Sequence, residues 1–179
     1  MQDNQSQTHW IYAAAIMDSD GCFMISKSKS RSKNKKHFDY CPRARIVMIH
    51  DGAINYIYSE TNIGRIGITG VRPSRPNSLP LFHLGITKIA DLIVFLENII
   101  PYLKVKKERA IHLLEFCKHS LEAKQTYNRY RHNQPSQDEL NYREDMYRKM
   151  REFNGNKVGA TIKPQGRESV CDDLNSIEI

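Results

Sequence analysis

The sequence predicts an α+β fold in which two β-hairpins form one antiparallel sheet and helices cover one face of that sheet. Apolar residues change periodicity along the chain in the order helix, two strands, helix, two strands, helix, followed by extra helices. The strand segments alternate apolar with polar residues, so one face is expected to meet the helices and the other to stay polar and basic. The chain has 179 residues, 40% of them apolar, which is enough for one domain with its own core.

The first predicted element is a short, alanine-rich helix over 9–17, which a polar turn ending in Gly21 brings to a close. Gly21 is expected to adopt the left-handed conformation that often follows a helix. Two alternating segments follow at 22–30 and 43–50, and the loop 31–41 between them makes them a long hairpin.

Another amphipathic helix precedes the second pair of strands. Asp51 is expected to cap this helix, which covers 53–62. The second pair of strands is predicted at about 65–69 and 80–86, with glycine, proline and arginine in the loop between them.

Three helices are predicted in the remaining part of the chain. Thr87 is expected to cap the first, which ends before Pro101, and the second covers 105–121. Ser136 and Glu139 form the capping-box pattern that starts the third. The predicted division is a core at 1–121, a helical extension of the same domain at 122–155, and a polar, partly disordered tail at 156–179.

The formal net charge is +7, and its distribution is uneven. The segment 27–45 holds eight basic residues and one acid, so its charge of +7 equals the net charge of the whole chain. A concentrated basic segment beside alternating apolar residues is typical of a phosphate-binding surface. A solvated basic loop and a flexible Ser/Lys-rich arm at 26–36 remain alternatives.

Several classes of protein are disfavoured by composition. No run of about 18 apolar residues is present, so no membrane-spanning segment or membrane partner is expected. The polar N-terminus is unlike a signal or transit peptide. The cysteines are scattered without a CxxC pair, which excludes a zinc ribbon and disfavours a disulfide scaffold. Reduced thiols are expected, and with them an intracellular location: prokaryotic or phage cytoplasm, or an organelle that encodes the protein.

The most unusual motif is the acidic turn from Asp18 to Gly21 at the end of the small-residue helix. A calcium loop would need a ligand at 22 and an acid at 29, but those positions hold Cys22 and Lys29. A capped turn with two solvated acids remains the simple alternative.

Residues 13–21 read AAAIMDSDG and resemble the LAGLIDADG motif. Over about 9–120 the chain resembles the single-motif LAGLIDADG homing endonucleases, which have an αββαββα core and a DNA-binding sheet. The segment 101–107, PYLKVKK, resembles the stretch ahead of the family's third core helix and places Lys106 at its catalytic lysine. A surface lysine at a helix start is the alternative for Lys106.

The resemblance implies a homodimer, because the chain carries one motif. Two copies of the motif helix would pack across a two-fold axis through Ala13, Ala14 and Ala15, with Asp18 capping helix ends at the interface. Each helix would bring its Asp20 to the axis.

The resemblance also implies a divalent metal bound by the Asp20 carboxylate and the Ser19 carbonyl. The ion is expected to be Mg²⁺, and Mn²⁺ or Ca²⁺ can occupy the same sites. It would activate a water molecule and stabilise the leaving oxygen. Lys106 would stabilise the charged transition state or assist the water.

Two positions depart from the family's pattern. Met48 stands where a polar residue, often glutamine, organises water, and Gly52 lies near the place of a second basic residue. His50 is the nearest polar substitute and is included among the candidate catalytic residues, with an ordinary strand-end histidine as the alternative. These departures put activity in question, not the fold.

DNA contacts are expected on the polar face of the sheet, where arginine reads base edges and lysine more often meets phosphate. Alternation assigns Met24, Ser26, Ser28, Arg43, Arg45, Arg65, Thr69 and His83 to that face. The hairpin loops add Arg31, Lys33, Arg72 and Arg75, and a basic, aromatic segment at 127–132 either contacts the DNA backbone or forms an ordinary helix surface.

These features together indicate a site-specific, magnesium-dependent double-strand DNA endonuclease, intron-encoded, which acts as a homodimer on a long pseudo-palindromic target. The alternative is a non-catalytic nucleic-acid binder on the same fold, either an RNA maturase for intron splicing or a DNA-binding regulator. A basic α+β protein without a nucleic-acid role is a third hypothesis.

Overall fold

The computed structural model describes residues 3–29, 38–70, 79–128 and 135–155. Its elements follow the predicted order, and the α+β class is confirmed. Their bounds are α1 Asp3–Ser19, β1 Gly21–Lys29, β2 Phe38–Met48, α2 Gly52–Thr61, β3 Arg65–Thr69, β4 Leu81–Ile86, α3 Ile89–Ile99, α4 Lys107–Asn128 and α5 Gln137–Phe153.

The four strands form one sheet in the order β1-β2-β4-β3 with antiparallel neighbours throughout. Each hairpin pairs its own two strands, and the pairing of β2 with β4 joins the hairpins. Because β4 covers only the last five residues of β2, the outer half of the β1–β2 hairpin extends beyond the rest of the sheet.

The core lies between one face of this sheet and the helices. Phe23, Ile46 and Leu84 point from the strands into it, and Leu92 and Phe95 of α3 meet them from the other side. Alternate residues of β1 and β2 are buried, as a sheet with one covered face requires. No helix in the described ranges is long and apolar enough to cross a membrane.

Several elements are longer than their apolar patterns predict. α1 begins at Asp3 instead of residue 9, and α4 continues to Asn128 instead of ending at 121. β2 begins at Phe38 instead of residue 43, because 38–41 pair with 26–29 of β1. Pro42 fits within this strand because β4 does not reach it, so its missing N–H breaks no pairing on that side.

One predicted helix cap is at the expected residue but lacks its side-chain hydrogen bond to the backbone, and another is wrong. Asp51 occupies the position before α2, but its carboxylate accepts a hydrogen bond from the Asn55 side chain at 2.9 Å instead of from a backbone N–H. Lys88, not Thr87, is the residue that precedes α3, and it makes no side-chain cap. Packing of the apolar stripe therefore defines these helix starts more than capping does.

Gly21 is required by close packing instead of by a left-handed backbone. It is absent from the positive-φ residues of the described chain, so the predicted conformation is wrong. A Cβ at this position would lie 2.6 Å from the Cα of Met17, because β1 starts directly against the last turn of α1. No larger residue fits there without moving the motif helix.

The last helix, α5, packs against α4 and β1 and adds Met146 and Met150 to the buried core. Its predicted cap is confirmed, since the Ser136 hydroxyl accepts the Glu139 N–H at 3.2 Å. The division at residue 121 stays a prediction, and this residue lies inside α4. The tail at 156–179 is outside the described residues.

Candidate active site and nucleic-acid interface

The motif turn presents an exposed carboxylate between a helix and a strand. α1 ends at Ser19, and the Asp20 N–H donates to the carbonyl of Ile16 at 2.9 Å, which continues the helical pattern by one residue. The Ser19 hydroxyl lies 3.2 Å from the Asp20 carboxylate. Asp20 is exposed, so its oxygens are accessible to a cation or to solvent.

Lys106 reaches this turn from the segment before α4. Its ammonium donates to three backbone carbonyls, those of Met17 at 3.0 Å, Ser19 at 3.1 Å and Gly21 at 2.7 Å. Burial lowers the pKa of Lys106, and the neighbouring Arg109 adds to this effect. The candidate lysine therefore lies directly against the motif turn, 86 residues away in sequence from Asp20.

Asp18 makes the reciprocal contact. Its carboxylate accepts backbone N–H bonds from Lys104 at 2.7 Å, Val105 at 3.2 Å and Lys106 at 2.9 Å. Burial would raise the pKa of Asp18, but these three donors outweigh it and the pKa is lowered. We call this pair of contacts the Asp18–Lys106 clasp. It ties the end of α1 to the segment that leads into α4 within one chain.

A cleft of about 580 Å³ lies beside the motif turn and brings Asp20 and His50 together. The half-buried Met48 lines the same cleft and also packs against the core. The complete lining is Ser19, Asp20, Cys22, Arg45, Val47, Met48, Ile49, His50 and Leu81. Cys22 and Arg45 enter this cleft because they are cross-strand partners, a pairing that the hairpin register alone reveals.

The oxygen donors at the turn fit a hard divalent cation in type but not in number. One chain supplies the Asp20 carboxylate and the Ser19 carbonyl, which also accepts from Lys106. Mg²⁺ prefers such ligands and takes about six of them. Among the described residues, no three His, Cys, Asp or Glu side chains gather into a metal site. A single copy of the motif therefore needs further oxygens from outside the chain to hold the ion.

The sheet register places every candidate strand residue on the face opposite the core. Directly paired residues share a face, and pairs such as Met24 with Arg43 and Gly67 with His83 alternate with buried pairs such as Phe23 with Ala44. The residues on this open face include Met24, Ser26, Ser28, Arg43, Arg45, Arg65, Thr69 and His83.

His83 is held close to the backbone of β3. A Cβ at Gly67 would lie 2.6 Å from its imidazole, so the ring occupies the space that a side chain would take. Burial lowers the pKa of His83, and the Arg45 guanidinium lowers it further. Its buried Nδ1 has no hydrogen-bond partner among the described residues. The imidazole therefore lies against the β3 backbone, in surroundings that disfavour its charged form.

Some candidate residues lie outside the described part of the chain. They are Arg31 and Lys33 in the first hairpin loop, and Arg72 and Arg75 in the second. The side chains of the segment 127–132 are also outside it.

The alanines of the motif helix differ in exposure. Ala13 and Ala14 are 0% and 1% exposed, because they pack into the core of their own chain. Ala15 is exposed, together with Ile11 and Tyr12 one turn before it. A contact of this helix with a second copy stays a prediction, and the outer face that it would use contains Ala15.

No family model and no curated protein matches the sequence. The fold, by contrast, is similar to many solved structures. One is the archaeal intron-encoded homing endonuclease I-Vdi141I complexed with DNA, with a TM-score of 0.63 and 14% identity over 89% of this chain and 87% of that one. A second is the group I intron-encoded homing endonuclease I-CeuI complexed with DNA, with a TM-score of 0.60 and 16% identity over 85% and 69%.

A third is the LAGLIDADG homing endonuclease I-SmaMI bound to cleaved DNA, with a TM-score of 0.59 and 14% identity over 83% of this chain and 45% of that one. At these identities the likeness concerns the backbone, and it includes the sheet and helix order described above. The chain has the fold of the LAGLIDADG homing endonucleases, as its motif predicts.

Proposed function

We propose that this protein is a site-specific, divalent-metal-dependent endonuclease that cuts double-stranded DNA as a homodimer. The observation that carries the proposal is the Asp18–Lys106 clasp, which holds a half-buried ammonium against the turn that presents Asp20. This turn lies at the edge of a sheet whose open face carries arginines and a histidine. A carboxylate, a cation and a polar reading surface are the parts that phosphodiester hydrolysis on DNA requires.

The dimer is supported by the exposed apolar side of α1. Ile11 is 48% and Tyr12 39% exposed, and with the small Ala15 they form a stripe at helical spacing. A two-fold axis through this stripe would place two copies of Asp20 near each other. Two such carboxylates repel unless a cation neutralises them.

The metal would be held by the Asp20 carboxylate and the Ser19 carbonyl, with DNA oxygens and the second copy completing the ligand set. Mg²⁺ is the expected ion, with Mn²⁺ or Ca²⁺ as substitutes. When bound, it supplies charge neutralisation and Lewis acidity at the phosphodiester. Similar structures of the homing endonuclease I-CvuI on DNA were obtained with calcium in one case and magnesium in another.

Lys106 would stabilise negative charge on the phosphate in the transition state. An ammonium has three N–H donors, and all three donate to carbonyls in the free chain. A contact with phosphate therefore replaces one of these bonds, and Asp18 keeps the lysine backbone in place during the exchange. His50, which shares the cleft with Asp20, would position water where Met48 cannot.

The open sheet face would lie in the DNA groove. Arg43, Arg45 and Arg65 would read base edges, and His83 would offer its imidazole to a base. Ser26, Ser28 and Thr69 would make polar contacts with the DNA through their short side chains. The basic residues of the two hairpin loops would also contact the DNA; they are Arg31, Lys33, Arg72 and Arg75. Two copies would read a long pseudo-palindromic target, because a homodimer presents the same surface twice.

A second candidate function is a non-catalytic nucleic-acid binder, either an RNA maturase or a DNA-binding regulator. Met48 favours it, because a thioether in the cleft cannot organise water as an amide would. Gly52, at the start of α2, likewise provides no basic side chain.

The test is a selection of duplexes that bind the protein from a randomised library, followed by cleavage of the selected duplexes in Mg²⁺ or in EDTA. We expect cleavage in Mg²⁺, none in EDTA, and none by Asp20→Asn, which should still bind because it removes a negative charge near phosphates. Selected duplexes that stay intact in Mg²⁺ and Mn²⁺ would favour the non-catalytic binder.

A further inference from the structure

One carboxylate of α5 bridges both strands of the first hairpin. The Lys27 ammonium lies 2.7 Å from a Glu144 oxygen, and the Tyr40 hydroxyl donates to the same oxygen. Lys27 and Tyr40 are directly opposite each other in the pairing of β1 with β2. Glu144 thus holds a cross-strand pair from a different part of the chain, more than 100 residues away.

The surroundings of Lys27 make this contact more than a surface ion pair. Its ammonium lies 4.4 Å from the ring centroid of Phe38 and 5.6 Å from that of Tyr147, within the range of cation–π attraction. The side chains of Lys27 and Glu144 are only 24% and 23% exposed. Arg148 donates to the second Glu144 oxygen at 3.2 Å, so that the carboxylate is held on both sides.

These contacts lie behind the hairpin, on the side away from the proposed DNA surface. Lys27 and Tyr40 follow the same alternation as the buried Ile25 and Pro42, whereas Ser26 and Ser28 point to the open face. This outer half of the hairpin has no support from β4, which pairs only with 44–48. Side chains of α5 contact this outer half from behind, at Lys27 and Tyr40.

The end of α5 is attached to the same strand. The Asn154 side chain donates to the Phe23 carbonyl at 3.0 Å, on β1 near the start of the hairpin. Attachment at Asn154 and at Glu144 holds the helix along β1, at the hairpin's start and in its outer half. A rigid support of this kind fixes the angle at which the strands leave the sheet.

We propose that α5 is a brace that sets the orientation of the β1–β2 hairpin for base recognition, with Glu144 as the positioning residue. Lys27 then serves the brace and does not contact phosphate, although it belongs to the basic segment. The inference rests on the proposed function, because it requires that the hairpin reads DNA.

The central experiment compares Glu144→Gln with Asp145→Asn, a matched control that removes the same charge from the exposed neighbouring position. Binding to a library-selected target duplex and to a scrambled duplex is measured over a salt series. We expect the target-to-scrambled ratio of affinities to fall roughly tenfold for Glu144→Gln, the size of one lost base contact, and to stay unchanged for Asp145→Asn. Equal ratios for the two variants would overturn the brace.

Lys27→Met separates the brace from phosphate binding. A phosphate ligand would lose affinity equally on both duplexes and flatten the salt dependence by about one unit per lost contact. The brace instead predicts an unchanged salt slope with a lower target-to-scrambled ratio. A flatter slope with an unchanged ratio would refute the assignment of Lys27.

Tyr40→Phe keeps the ring and removes only the hydroxyl bond to Glu144, so it tests the brace if Glu144→Gln proves poorly folded. It should lower the same ratio by a smaller factor, while thermal melting shows the protein folded at the assay temperature. An unchanged ratio would contradict the proposal. A wild-type protein that binds no duplex would instead remove the proposed function.

Discussion

Removing either half of the Asp18–Lys106 clasp should destabilise the chain, and removing both should cost less than the sum of the two. Asp18→Asn keeps one acceptor oxygen but loses the charge that three backbone donors share. A cap of this kind contributes about 1–2 kcal/mol. Lys106→Met leaves the carbonyls of Met17, Ser19 and Gly21 without their ammonium. Since each net charge-assisted bond is worth about 1.5–3 kcal/mol and water can replace part of it, we expect roughly 2–3 kcal/mol in all.

The two contacts join the same pair of segments, so each is easier to form when the other already holds them together. We therefore expect a coupling free energy of about 1 kcal/mol in a double-mutant cycle. Urea denaturation at neutral pH gives the free energies of unfolding of the wild type, the two single variants and the double variant. The melting temperature should fall by about 2–4 °C for each kcal/mol lost. Lys107→Met, an exposed lysine at the next position, is the matched control. If the loss in the double variant equalled the sum of the two single losses to within about 0.5 kcal/mol, the two contacts would not act as a unit.

The lowered pKa of Asp18 gives the same contact a pH dependence. A depressed carboxylate pKa contributes stability that is present above the unfolded pKa and is lost as the pH falls through the folded pKa. Wild-type protein should therefore lose part of its free energy of unfolding in acid, and Asp18→Asn should lose less over the same range. If the free energy of unfolding fell equally with pH in acid for both proteins, the three backbone donors would not be stabilising the ionised carboxylate.

Three further predictions concern the proposed interfaces. Gly67→Ala should displace the imidazole of His83 and reduce discrimination at one symmetric pair of target positions; competition binding of target against scrambled duplex measures this loss, and unchanged discrimination would contradict the role of His83. Ala15→Leu should weaken dimerisation in sedimentation without lowering the melting temperature. Ala14→Leu should lower the melting temperature, because Ala14 is buried in the core of its own chain. The reverse pattern would contradict the assignment of Ala15 to the dimer face. Affinity for the target should fall about 10³–10⁵-fold between about 50 and 200 mM salt if roughly 6–10 phosphate contacts form per dimer, and a flat salt response in filter binding would exclude a phosphate-dominated interface.

The order of the elements and the sheet face on which each strand residue lies could be predicted from the sequence, because both depend on residues that are close together in the chain. Alternation assigned Ser26, Arg43 and His83 to the open face, and the register between strands agrees with that assignment. The AAAIMDSDG motif and the segment containing Lys106 indicated both parts of the candidate site, and the structure brings them into contact. Bounds were predicted less well, since polar residues such as those at the start of α1 continue a helix without an apolar pattern.

What only the tertiary structure decided depends on contacts between distant segments. The pairing of β2 with β4, the three carbonyls at the Lys106 ammonium and the hold of Glu144 on Lys27 each join residues far apart in sequence. Gly21 illustrates the difference. The sequence shows a glycine after a helix, but the reason that only glycine fits is the close approach of β1 to Met17. Periodicity reports which face a residue occupies, because it follows from local backbone geometry. Which partner meets that face is determined by the packing of the whole chain.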